Sequence, residues 1–216
     1  MENRKNTILL TVIAVATLLV AVVGATFAYF TAQGGAASEA KVTVSTGTAG
    51  NSSLGTFKAI NIYADATNFG QGKESLSDTS TGTVVWTAPG ASSGSAPSEA
   101  DRSFCYTAKL NVTNNTFVYS STNTTKAAEL TLKAEKNGTV VLEDKDITTG
   151  TADVVIPTIK GGSDTVHKLV ADAGKNASDS WTLTVTLVNL GVDQNDNTSK
   201  QFSGAVKFDK TACPSA

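Results

Sequence analysis

The chain has one histidine, one methionine, two arginines, two cysteines and four prolines in 216 residues. Each scarcity excludes something. A lone histidine, His167, leaves no His-Glu-x-x-His motif, so the usual helical zinc-hydrolase site has no ligand pair. A hydrolytic triad would rest on His167 alone, with no converging partners in view, and the residue reads as a surface or semi-buried histidine. Charged residues make up only 17% of the chain and the net charge is -2. No basic patch results, and neither nucleic acid nor anionic lipid is expected as a partner. No metal or organic cofactor is expected either. What fills the chain instead is Thr, Ser, Ala, Gly, Val and Asn, which is poor helix material and good strand-and-turn material.

The one long apolar run stands at the start. Arg4 and Lys5 precede Ile8 to Val23, and the run closes on Gly24-Ala25-Thr26-Phe27-Ala28-Tyr29-Phe30. A basic lead, an apolar stretch and a small-residue exit describe a secretory signal peptide, cut between Ala28 and Tyr29 or after Ala25. The alternative is an uncleaved anchor over residues 8–30. Both place the remainder outside the cell, secreted or at its surface, because the basic residues stay behind. The expected plan is a signal at 1–28, an extended segment at 29–46 and one domain at 47–216. In an exported chain the cysteine pair reads as one disulfide, Cys105 to Cys213, against the alternative of two free thiols.

Strand patterns recur along that domain. Alternation predicts strands at 41–46, 57–64, 83–87, 105–112, 129–134, 139–143, 153–159, 181–190 and about Phe202 to Phe208. Phe117 and Tyr119 are expected to open a further strand after a turn at Asn114-Asn115. Residues 68–81 and 90–101 read as loops. Lys136-Asn137-Gly138 between alternating runs is a hairpin signal, and Pro157 marks an edge or an early end. Residues 163–174 carry apolar residues at helical spacing, with Asp164 to cap and Gly174 to stop; a short irregular strand is the alternative. An all-β fold, a single β-sandwich of jelly-roll type, is the expectation.

Three motifs touch on chemistry. Gly90-Ala91-Ser92-Ser93-Gly94 has the letters of a nucleophile elbow but none of its strand–turn–helix context. Gly70-Gln71-Gly72-Lys73 falls short of a phosphate loop. Asp193, Asn195 and Asn197 open like a calcium loop, yet Thr198 and Gly204 stand where Gly and Glu are needed, so a polar turn competes with a weak calcium site. Asn-x-Ser/Thr triplets begin at Asn51, Asn111, Asn114, Asn123, Asn137, Asn176 and Asn197.

Residues 24–31, Gly-Ala-Thr-Phe-Ala-Tyr-Phe-Thr, resemble the exit of SipW-dependent signal peptides. Residues 189–204, from Asn189-Leu190 through Asp193-Gln194-Asn195-Asp196-Asn197 to Lys200-Gln201-Phe202-Ser203-Gly204, resemble a signature of exported proteins carrying such signals. Together the two ends are similar to the TasA/camelysin family of bacterial surface and biofilm-matrix proteins. The resemblance implies a jelly-roll domain and processing by a signal peptidase of SipW type. It also implies fibres assembled by donor-strand exchange, with matrix or cell-wall components as further partners. Residues 29–46 match the donor, with Tyr29, Phe30, Val42 and Val44 as anchors. Camelysin-type members are linked to metallopeptidase activity, for which this chain offers only His167. The expected function is therefore structural and non-enzymatic, with a monomeric adhesin or carbohydrate-binding module as the alternative and a secreted peptidase third.

Overall fold

A computed structural model describes residues 50–90 and 96–214, all within the compact unit Lys41–Ala216. The strand expected at 41–46, the signal or anchor and the donor segment lie outside these residues. The strands are β1 (Asn51–Leu54), β2 (Ile60–Tyr63), β3 (Leu76–Thr87), β4 (Ser103–Asn115), β5 (Leu130–Lys136), β6 (Thr139–Asp146), β7 (Val154–Ile156), β8 (Val166–Val170), β9 (Asn176–Leu187) and β10 (Gln201–Thr211). A 3-10 turn at Asn195–Asn197 is the only helical element among the described residues. The protein is all-β, built of two antiparallel sheets. One runs β1-β3-β9-β5-β6; the other runs β2-β10-β4-β7, with β8 also on β4.

Why these residues make strands is clearest in β9. Trp181, Leu183, Val185 and Leu187 are buried while Thr182, Thr184 and Thr186 face outward, the period-two pattern of a half-buried strand. Each such aliphatic side chain contributes roughly 1.5–3 kcal/mol when fully buried. From the other sheet, Ile60, Ile62, Tyr106, Ala108, Leu110 and Phe202 join the same core cluster. Aromatic rings cross from sheet to sheet: Trp86 stacks on Phe104 at 5.4 Å, and Tyr106 meets Trp181 edge-on at 6.4 Å. The Asn137-Gly138 hairpin has φ of 51° and 75°, the paired positive angles of a type I′ turn, which only Asn and Gly adopt cheaply.

Three local expectations are corrected, and one open alternative is decided. Residues 76–81 are strand, not loop: they pair along Thr182 to Leu187 of β9. Their inward row carries Asp78 and Ser80, so no hydrophobic alternation betrays it. Asn114-Asn115 continue β4 instead of turning. Phe117 and Tyr119 start no strand, because the backbone N–H and C=O of Val118 are taken by the Asn197 side chain at 3.0 and 2.8 Å. Of the helix and the short strand left open for residues 163–174, the strand is found, as β8. His167 and Leu169 point inward and Val170 outward, which the β4 edge rewards with a full ladder from Ser103 to Thr107.

Phe57 also departs from expectation. Expected within a strand over 57–64, it lies before β2, turns inward and meets Phe208 at 4.9 Å. Gly82 makes the room: a Cβ there would sit 2.5 Å from the Phe57 ring.

Candidate functional site

Two buried polar clusters and the partly uncovered inner edge of β3 are the features that ordinary core packing does not require. The first cluster surrounds Glu129, which stands just before β5 and is fully buried. Its carboxylate accepts from the Ser120 N–H (2.6 Å) and hydroxyl (2.8 Å), the Asn123 amide (2.8 Å), the Gln194 amide (2.8 Å) and the Asn197 amide (2.7 Å). Burial pushes the carboxyl up, but the donors from Gln194, Ser120 and Asn123 outweigh it, and the net shift is downward. A buried carboxylate is tolerable only when satisfied in this way.

That arrangement tells what the Asp193-Gln194-Asn195-Asp196-Asn197 run does in the fold. Gln194 and Asn197 turn inward to Glu129, and the Asp196 carboxylate accepts the Ser121 N–H at 2.6 Å. Asp193 accepts the Asn195 N–H at 3.0 Å. Nearby, Asn189 donates to the carbonyls of Gly70 and Lys73, both at 2.7 Å, fixing the glycine loop that fell short of a phosphate cradle. Of the calcium candidates Asp193, Asn195 and Asn197, Asn197 has committed its side chain to Val118 and Glu129. No group of three His, Cys, Asp or Glu side chains that could hold a metal occurs among the described residues.

The second cluster lies between the sheets. The Tyr106 hydroxyl donates to Asp179 at 2.6 Å and accepts from the Trp181 indole at 3.0 Å. Asp179 also accepts from the Asn137 amide at 2.7 Å and pairs with Lys136 at 3.1 Å. Burial, then the Asp179 carboxylate, pushes the Tyr106 phenol far up. His167 lies against this group, stacked on Tyr106 at 5.3 Å and edge-on to Trp181 at 4.8 Å. Expected at or near the surface, it is 1% exposed. Its Nε2–H donates to the Ile156 carbonyl at 3.2 Å, and Nδ1 has no partner. Burial, reinforced by nearby Lys136, lowers its pKa to about 4. The imidazole is thus enclosed, with the Tyr106 and Trp181 rings against it.

No protein-family model, curated protein or solved structure matches this chain.

Cys105 and Cys213 are joined in a disulfide with their Cα atoms 5.1 Å apart. Cys105 is opposite Thr211 in the β4–β10 ladder, so the bond ties the chain's last residues to a strand they already flank. Ala28, Tyr29, Phe30, Val42 and Val44 lie outside the described residues, as does most of the Gly90–Gly94 run. Among the Asn-x-Ser/Thr triplets, Asn123 and Asn197 bury their amides and Asn137 commits its own to Asp179.

β6, β2, β7 and β8 end their sheets as edge strands, and β3, though it has a neighbour, is covered over only part of its length. Four residues of β1 pair with Val84 to Thr87 only. Over Leu76 to Gly82 no described strand lies on the side away from β9. The chain crosses there between the sheets, touching β3 through side chains: Ser80 donates to the Lys58 carbonyl at 2.7 Å, and Asp78 accepts the Asn61 N–H at 2.9 Å. Glu129 and this edge were missed from sequence, since a single glutamate before an apolar run carries no pattern.

Proposed function

We propose that this is an exported, non-enzymatic structural protein, a β-sandwich of jelly-roll type that builds or decorates a biofilm-matrix or cell-surface fibre by strand donation. The observation that carries the reading is the half-covered β3 edge beside β1, the strand that follows directly from the N-terminal extension. An unpaired edge is a template, and an extended peptide completes it through backbone hydrogen bonds. Residues 29–46 supply the peptide, freed by a SipW-type signal peptidase cutting between Ala28 and Tyr29, with Tyr29, Phe30, Val42 and Val44 as anchors. A head-to-tail contact of this kind does not close on itself, so it propagates as a filament. A disulfide between β4 and the chain end suits an oxidising exterior.

Electron microscopy of the processed protein tests this. Filaments that disappear when residues 29–46 are deleted are expected. Monomers that persist at high concentration would favour the adhesin reading instead.

A further inference from the structure

β7 and β8 lie end to end along one edge of β4, β7 against Ala108 to Leu110 and β8 against Ser103 to Thr107. They are only three and five residues long. His167 connects them: it sits in β8, and its Nε2–H donates to the carbonyl of Ile156 in β7. That donation places the proton on Nε2, so a second proton must go to Nδ1, which is buried and faces no acceptor.

We infer that His167 is an acid-sensitive latch: neutral, it clips β7 and β8 to β4, and once charged it releases both, baring the Ser103–Leu110 edge.

The surroundings leave an imidazolium uncompensated. On β4, the Tyr106 hydroxyl gives its proton to Asp179. At the end of β5, Lys136 is positive and repels. On β9, Asp179 is negative, but it already serves Lys136, Tyr106 and Asn137. On the outer face of β8, Lys168 pairs with Glu99 at 2.8 Å. Lys168 holds the Glu99 carboxyl below its usual range, so that pair survives mild acid. The ring reaches water only by moving, and in water it titrates near its ordinary value of 6.5. The closed state binds fewer protons between that value and about 4, so it loses ground to the open state as pH falls through this window. β4 need not follow. β10 pairs with it from Cys105 to Asn115, and the disulfide pins its start. A bared edge is a template for another strand.

Amide hydrogen exchange on the purified full chain tests the latch. Corrected for intrinsic exchange, the opening equilibrium of residues 166–170 should rise about fifty-fold between pH 7 and pH 4.5, while β9 stays protected. His167→Phe keeps a ring and cannot titrate, so its β8 protection should not change with pH. Wild-type protection that holds at pH 4.5, or an equal rise in His167→Phe, overturns the proposal. If that variant fails to fold, the wild-type imidazole followed by NMR decides. Loss of β8 protection in step with its titration supports the latch, and titration with β8 still protected overturns it.

Discussion

The amide nitrogen of Asn197 lies 2.7 Å from the carboxylate of Glu129, 68 positions earlier in the chain. With Gln194 beside it, this contact turns a polar run that looks like the start of a cation loop into a clamp. The clamp closes the segment 118–123 and the β9–β10 connection over the start of β5.

Removing one side of the clamp strands the other. Glu129→Ala leaves amide and hydroxyl donors from four residues without their acceptor, and an unsatisfied buried polar group costs about 1–3 kcal/mol. We expect a loss at the top of that range or beyond it in chemical denaturation. Asn197→Ala should cost less alone. The double mutant should cost less than the sum of the two single changes, as residues sharing one network do. Additive losses would mean the residues act separately.

The same carboxyl sets a pH dependence. Its folded pKa is depressed, so the stability it contributes is fully present above its unfolded value of 4.5 and is lost as pH falls through the folded pKa. A stability profile of wild type against Glu129→Gln should converge below that value. Parallel curves down to strong acid would contradict the assignment.

The disulfide closes a span of 108 residues. Loop entropy for a span of that order gives at most about 4–5 kcal/mol, and less where the native strands already hold the ends together. Cys105 and Cys213 should resist alkylation until reduced, and Cys213→Ser should lower the melting temperature. Immediate labelling of the native protein would contradict the bond.

Gly82→Val should be among the costliest changes on β3, although the residue lies in a polar stretch. Its side chain would occupy the Phe57 ring position, and overpacking of this kind costs about 1–3 kcal/mol. Pairing with Phe57→Ala should recover part of the loss; no recovery would separate the two residues.

Much of the architecture was readable because burial on one face writes itself into alternate positions. Trp181 to Leu187 alternates cleanly, and Asn137-Gly138 announces its turn by backbone angles that few residues accept. The first half of β3 was not readable, since Asp78 and Ser80 occupy its inner row and satisfy themselves through Lys58 and Asn61. β8 stayed undecided because Val166, Leu169 and Val170 fit a helical period as well as a strand. Only the β4 edge, supplied from elsewhere in the chain, decides between them. Glu129 was invisible for a related reason: its meaning lies in donors brought from residues 120, 123, 194 and 197, and no local spacing encodes that meeting.

The measurement that bears most directly on strand donation is complementation in trans. A chain lacking residues 29–46 is titrated with a synthetic peptide of that segment, and binding is read by calorimetry and by the melting temperature. We expect one peptide bound per chain, a raised melting temperature and a block on filament growth when peptide is added to the intact protein. No binding, together with filaments that form equally well without the segment, would contradict the assembly proposed here.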